Sequence, residues 1–279
     1  MGRMTLPAPD PVAPFLKWAG GKVRLLPQYA PYLPPRTSIR HYYEPFIGSA
    51  ALFFYWQPHP ATLSDVNQKL VEVYQQVQQN VEEVIAALRG HYNDRDYYYE
   101  VRAQDPEALS LVARAARLIF LNKTCYNGLY RENQQGAFNV PFGRYKRPKI
   151  CDEPRLRTAA QALRGVTLAQ GDFAQVVENA RAGDFVYFDP PYVPVSATSS
   201  FTSYNHLGFD EDDHCRLART MHRLTLRGVR VMLSNSAAPL VHELYAGHGY
   251  RLITIKARRN INSRGNGRGP VDELLVLNY

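Results

Sequence analysis

Apolar residues fall in two rhythms along this chain. In the first, short apolar runs stop abruptly at an acid or a small polar residue. Ala61-Thr62-Leu63-Ser64-Asp65, Val166-Thr167-Leu168-Ala169-Gln170, Phe185-Val186-Tyr187-Phe188 and Arg230-Val231-Met232-Leu233-Ser234-Asn235 are of this kind. Such runs predict buried strands. The stretch from His41 predicts another, which passes a glycine turn into a helix over Ala51–Trp56, and Tyr250–Lys256 and Glu273–Tyr279 predict two more. In the second rhythm apolar residues recur every three or four positions. Leu70, Val73, Val77, Val81, Val84, Ile85 and Leu88 predict one helix over Gln68–Leu88. Leu109, Val112, Ala113, Ala116 and Phe120 predict a helix over Pro106–Asn122, and Glu211–Arg227 and the amphipathic Val23–Tyr32 complete the set. Strands alternating with helices argue an α/β fold. The alternation is interrupted from about Asn67 to Ile150 and resumes at Val166.

The strand ends carry the candidate chemistry, because ligands of open α/β sheets bind at the carboxyl ends of strands. Phe188 is followed by Asp189-Pro190-Pro191-Tyr192. Neither proline has an N–H and each fixes its own φ, so the ladder stops and the acid sits on a rigid strand end. This loop reads as a holder for a nucleobase amino group; the plainer alternative is a strand closed by a Pro-Pro turn. Glu44-Pro45-Phe46-Ile47-Gly48-Ser49-Ala50 has the shape of a nucleoside-binding βα turn but is not G-x-G-x-x-G, so a dinucleotide is not implied. Asp65 follows Glu44 by about twenty residues, the spacing of a ribose-binding acid. It equally suits a cap for the helix that follows. Trp18-Ala19-Gly20-Gly21-Lys22 lets a ligand approach the backbone, but Lys22 is followed by Val23 and lacks the spacing of a phosphate loop.

Within the interruption, Lys123 to Arg131 contains the turn dipeptide Asn127-Gly128, and Phe138 to Arg147 returns as an irregular hairpin around Gln134-Gln135-Gly136. Arg, Asn and Tyr on such a turn suit base edges and stacking, or form an ordinary solvated rim. Tyr97-Tyr98-Tyr99 reads as packing. The 279 residues carry 33 Lys and Arg against 25 Asp and Glu, a formal charge of +8, which favours a polyanionic partner. Cys125, Cys151 and Cys215 share no CxxC spacing and the histidines show no HxxxH pairing, so reduced thiols and no metal are expected. No stretch approaches a membrane span and the start lacks a signal pattern, so a soluble cytoplasmic protein without membrane contact is expected. Residues 1–14 read as a loose, flexible arm, and Arg258–Pro270 as a basic, Gly-rich loop near the ligand face.

Taken in order, Phe-Leu-Lys-Trp-Ala-Gly-Gly-Lys, Glu-Pro-Phe-x-Gly, Ser-Asp-x-Asn, Asn-Lys-Thr-Cys-Tyr-Asn-Gly-Leu-Tyr-Arg, Phe-Asn-Val-Pro-Phe-Gly, Gly-Asp-Phe and Asp-Pro-Pro-Tyr closely resemble the Dam family of DNA adenine-N6 methyltransferases. The resemblance covers nearly the whole chain from Phe15; the departure is Ala50, where the family often has a second glycine. It implies a Rossmann-like seven-stranded methyltransferase sheet closed at one edge by an antiparallel pair. Residues 15–66 and 165–279 would form the catalytic domain. Residues 67–164 would form an inserted, mostly helical target-recognition domain with a β-hairpin. S-adenosylmethionine would be the methyl donor, surrounded by Trp18, Lys22, Glu44, Phe46, Gly48, Ser49, Asp65, Asp172, Phe173 and Asp189. Asp189 and Pro190 would accept the two N6–H bonds of a flipped adenine, with Tyr192 stacked on it. Lys17, Tyr126, Asn127, Leu129, Arg131, Pro141, Arg144, Tyr145 and Lys146 would meet double-stranded DNA, with GATC the implied target. A monomer is expected, with a dimer on DNA as the variant. The competing readings are methylation of RNA or of another DNA sequence, and a non-catalytic DNA-binding relic.

Overall fold

A computed structural model describes residues 10–195, 208–258 and 270–279. The loop expected at Arg258–Pro270 and most of the N-terminal arm lie outside the described residues. In chain order the elements are α1 (Leu26–Tyr29), β1 (Tyr42–Glu44), α2 (Ala51–Trp56), β2 (Ala61–Asp65), α3 (Gln68–Gln79), α4 (Val81–Arg89), α5 (Arg95–Ala103), α6 (Leu111–Thr124), α7 (Glu153–Ala162), β3 (Thr167–Gln170), α8 (Phe173–Val176), β4 (Phe185–Phe188), α9 (Glu211–Leu226), β5 (Arg230–Ser236), α10 (Pro239–Tyr245), β6 (Arg251–Arg258) and β7 (Pro270–Leu277). They form two compact units. One holds the described residues as far as Leu26, with Gly48–Pro58 and Lys69–Val166. The other holds Pro27–Ile47, His59–Gln68 and Thr167–Tyr279.

The second unit contains all seven strands, in the order β3-β2-β1-β4-β5-β7-β6. The first five run parallel, while β7 lies antiparallel to both β5 and β6. The seven-stranded sheet with an antiparallel edge pair is as expected. Its central strands read as unbroken apolar runs because both faces are covered. Phe185, Val186, Tyr187 and Phe188 are all buried, and so are Val231, Met232 and Leu233. On one face Leu217, Met221 and Leu224 of α9, with Val241 and Tyr245 of α10, pack over Val186, Phe188, Val231 and Leu233. The chain order reverses between β1 and β4, the switch point at which such sheets hold ligands.

The first unit is mainly helical, and here the predicted elements need correction. The single helix expected over Gln68–Leu88 is broken at Asn80 (φ −133°, ψ 41°), which ends α3 and starts α4. Asn80 Nδ2 donates to Gln76 Oε1 at 2.8 Å, a bond between side chains one turn apart that helical geometry itself allows. The apolar stripe continues on both sides, so periodicity alone runs through the break. The helix expected from Pro106 starts instead at Leu111. Pro106–Ala108 is a single 3-10 turn, and Ser110 caps α6 by accepting from Ala113 N at 3.3 Å. Tyr97-Tyr98-Tyr99 lies within α5, which was not anticipated; Asp94 caps it by accepting from Asp96 N and Tyr97 N. Tyr98 is buried and donates to the Val140 carbonyl at 2.8 Å. The hairpin is irregular as expected, tied by bridges Cys125–Phe142 and Glu132–Phe138, with Asn133 Oδ1 accepting from Gln135 N and Ala137 N across its turn. Val12, within the expected arm, is buried and donates to the Phe54 carbonyl at 3.0 Å.

Candidate active site and nucleic-acid interface

The parallel order of the sheet brings acids to one edge. Glu44 ends β1 and Asp65 ends β2. Asp172 follows β3 as the cap of α8, and Asp189 follows β4 directly. β7 runs the opposite way, and Glu273 near its start pairs with Ser236 at the end of β5. Glu44 and Asp189 thus close the two strands that flank the switch point.

Asp189 is held by the end of β5. Ser234 Oγ donates to Asp189 Oδ1 at 2.7 Å, and Tyr187 OH lies 3.1 Å from Ser234 Oγ. Since the serine has one proton to give, the phenol donates to the serine and the serine to the carboxylate. The next two residues of β5 hold the far end of the loop: Asn235 Oδ1 accepts from Val193 N at 3.1 Å and Ser236 Oγ donates to the Val193 carbonyl at 2.6 Å. Ser234, Asn235 and Ser236 therefore anchor both ends of the Asp189–Val193 segment. Tyr192 OH donates to Glu273 Oε2 at 2.8 Å. Burial, together with the charge of Asp189, pushes the Tyr187 and Tyr192 phenols well above their ordinary range, so both remain donors at working pH. Tyr42, fully buried, donates to Glu44 Oε2 at 2.8 Å and is raised by burial first and by Glu44 second.

The remaining expected cofactor residues of this unit divide by environment. Asp65 Oδ1 accepts from Asn67 N at 3.0 Å, an Asx turn that ends one residue ahead of α3. Asp172 accepts twice from Arg216 Nη1, at 2.7 and 2.8 Å, and caps α8 through Ala174 N. The Arg216 guanidinium lies 4.2 Å over the Phe173 ring. Phe173 is buried and stacks on the partly exposed Phe46 at 5.4 Å. Pro190 is buried.

Trp18, Lys22, Gly48 and Ser49 belong to the other unit. Gly48 has φ +43°, and a Cβ there would sit 2.9 Å from Trp18 Cδ1, so no side chain fits without displacing the indole. Tyr74 OH donates to the Gly48 carbonyl at 2.9 Å. Ala50 takes φ +52° at the start of α2, a left-handed conformation that favours glycine. That explains why a glycine suits the position: the backbone, more than the side-chain volume, makes the demand. Lys22 is buried and its ammonium donates to the Gly20 carbonyl.

The expected DNA residues all lie in this unit. Lys17 N donates to Asn122 Oδ1 at 2.9 Å and Asn122 Nδ2 donates back to the Lys17 carbonyl at 2.7 Å, while Lys17 Nζ lies 4.1 Å over the Tyr145 ring. Tyr126 and Asn127 project on a 3-10 turn, both exposed, with Asn127 at φ +55°. The turn is fixed by its backbone: Tyr126 N donates to the Pro141 carbonyl and Gly143 N to the Thr124 carbonyl, each at 2.8 Å. A Cβ on Gly128 would meet Lys17 Cβ at 2.5 Å. The exposed Arg131 is oriented by Asn139, whose Oδ1 accepts from Arg131 Nε at 2.6 Å. Pro141, Arg144 and Lys146 are exposed and Leu129 is half-buried. The residues that sequence reasoning missed are Ser234, Asn235, Ser236, Glu273 and Arg216. For the first three a signal existed: a polar run closing an otherwise apolar strand.

A seven-stranded sheet with this antiparallel edge, bearing Asp-Pro-Pro-Tyr on the strand beside its switch point, fits the amino-methyltransferase that the sequence resemblance implies. A sequence model of the D12 class N6 adenine-specific DNA methyltransferases matches residues 18–261. A type II methyltransferase of Lactococcus lactis subsp. cremoris is 43% identical over 274 residues, covering 95% of each chain. One from Methanocaldococcus jannaschii is 42% identical over 289 residues, covering 96% of this chain and 99% of its own. The DNA adenine methylase of Escherichia coli (strain K12) is 35% identical over 267 residues, covering 94% of each. The chain belongs to the D12 class of N6 adenine-specific DNA methyltransferases.

Proposed function

We propose that this enzyme methylates a flipped adenine of duplex DNA from S-adenosylmethionine, within GATC. The observation that carries the reading is Asp189 on the rigid end of β4, with Oδ1 fixed by Ser234. An exocyclic adenine nitrogen is a poor nucleophile, because its lone pair is delocalised into the ring. Asp189 and the Pro190 carbonyl accept its two N–H bonds, which draws the nitrogen toward tetrahedral geometry and frees the lone pair. The cofactor supplies an electrophilic methyl on a sulfonium. Residues of the sheet unit suit that cofactor chemically: Glu44 and Asp65 are carboxylates for its amino and hydroxyl groups, and Phe46, Asp172 and Phe173 suit an adenine. The backbone around Gly48, where a Cβ would collide with Trp18, has the bare character of a nucleoside turn. Positioning and a preorganised polar environment do most of the catalytic work.

Chemistry at a strand end requires the base to leave the duplex stack. Tyr192 stacks on it there. Tyr126 and Asn127 fill the space left behind, Leu129, Arg131 and Pro141 read flanking pairs, Lys17 lies near the first base, and Arg144, Tyr145 and Lys146 meet the backbone. GATC is supported by the match of Leu129, Arg131 and Pro141 to the Dam pattern. Asp189→Ala is expected to lose radiolabelled methyl transfer while keeping DNA binding; wild-type turnover would refute the mechanism. Genomic DNA from an expressing host lacking its own methylase, cut with enzymes that distinguish methylated from unmethylated GATC, tests the target. Unaltered digestion would refute it.

A further inference from the structure

Tyr192 is fixed at both ends. Its backbone follows two prolines and is tied at the next residue, Val193, by Asn235 and Ser236. Its phenol donates to Glu273 Oε2 at 2.8 Å, and the phenol of Tyr29 lies 3.4 Å from the same oxygen. Glu273 stands on β7, paired with Ser236 of β5 on one side and Ile255 of β6 on the other. The carboxylate that receives the phenol thus hangs from a strand bonded along both edges. Rotation of the Tyr192 ring about its Cα–Cβ bond would break the 2.8 Å bond to it.

We infer that Glu273 is a positioning residue of the transfer reaction, holding the Tyr192 ring as a preset wall for the adenine. The inference rests on the reading of Tyr192 as the stacking partner of the flipped base. A ring fixed before the base arrives loses little freedom when the base stacks, and the reacting nitrogen inherits its place. Glu273 acts on the base through Tyr192 in this scheme, so the two residues form one unit in the transfer step, with Tyr29 a second donor to the same oxygen. Glu273→Gln retains a carbonyl acceptor for the phenol, whereas Glu273→Ala and Tyr192→Phe each remove the same bond from opposite ends.

The test compares Tyr192→Phe, Tyr192→Ala, Glu273→Ala, Glu273→Gln and the double variant Tyr192→Phe/Glu273→Ala. Single-turnover methyl transfer is measured on DNA that the wild-type enzyme methylates, with equilibrium binding of S-adenosylmethionine alongside. A duplex carrying 2-aminopurine at the target adenine reports stacking of the flipped base. Tyr192→Phe and Glu273→Ala are each expected to slow transfer roughly tenfold, about the effect of one hydrogen bond to a charged group. The double variant should be no slower than roughly the worse single, the signature of coupled residues. Both singles should change 2-aminopurine fluorescence alike, Glu273→Gln should restore most of the rate, and cofactor affinity should hold throughout. Losses that multiply in the double variant, or a Glu273→Gln enzyme as slow as Tyr192→Phe, would overturn the inference. The second comparison stands even if Glu273→Ala fails to fold. Wild-type transfer by Tyr192→Ala would instead overturn the assignment of Tyr192, and the inference with it; a Tyr192→Ala enzyme that is slow beside a normal Glu273→Ala enzyme would sink the inference alone.

Discussion

Replacing Lys123 by methionine should stabilise this protein at neutral pH. Lys123 lies in the last turn of α6 and is 8% exposed. Burial lowers its pKa from the ordinary 10.5 to about 8, with the charges of Arg155 and Lys17 adding to the effect and Asp152 opposing it. The unfolded chain keeps the ordinary value, so between pH 8 and 10.5 it binds a proton that the folded chain has lost. Stability therefore rises with pH across that window. At pH 7 both states are protonated, and the folded state carries the full cost of the buried ammonium. The gap between 10.5 and about 8 corresponds to roughly 3 kcal/mol. At pH 10 the folded lysine is neutral and the cost falls to about 1 kcal/mol. Methionine has nearly the same length and no charge, so it occupies the same buried space without opening a large cavity. Urea unfolding of both proteins at pH 7 and pH 10 measures the difference, and titrations common to both cancel. The variant should be more stable at pH 7 by about 3 kcal/mol, an advantage shrinking to about 1 kcal/mol at pH 10. An advantage of equal size at both pH values, or a variant less stable at pH 7, would refute the reasoning.

Two further predictions concern the catalytic surroundings. Gly48→Ala would place a Cβ 2.9 Å from Trp18 Cδ1 on a backbone at φ +43°. It should lower stability by about 1–3 kcal/mol and weaken S-adenosylmethionine binding; melting and calorimetric titration both unchanged would contradict the crowding argument. Ser234→Ala removes the donor to Asp189 and the acceptor for Tyr187, so kcat should fall about tenfold or more with the cofactor Kd little changed. Ser234→Thr should recover part of it, and an unaltered kcat in the alanine variant would remove Ser234 from the support of Asp189.

What could be read from the residues, and what could not, follows from which forces set each element. The Phe185–Phe188 strand was legible to the residue, because burial on both faces leaves only apolar side chains and the prolines mark its end. The same holds for Ala61–Asp65. The break at Asn80 was not legible from periodicity, since Val77 and Val81 keep the stripe going across the one residue whose backbone leaves the helical region. Helices α7 and α10 escaped because their apolar faces are short and proline stands at their starts, where it is in fact favoured. For Asp65 the residues left ribose binding and capping open, and its bond to Asn67 N forms a turn ahead of α3. The support of Asp189 was hidden for another reason. Ser234 and Glu273 are distant in sequence, and only the antiparallel placement of β7 beside β5 brings Glu273 to the edge where the Asp189–Val193 segment is held.

The turn around Tyr126 and Asn127 is held by main-chain bonds from Tyr126 to Pro141 and from Gly143 to Thr124. The side chains that project from it take no part in those bonds. Tyr126 and Arg131 can thus be exchanged by mutation while the frame that presents them stays put, whereas Asn127, at φ +55°, accepts fewer replacements. On the proposed reading of these side chains, a change of target sequence then needs few substitutions, and each intermediate keeps its fold.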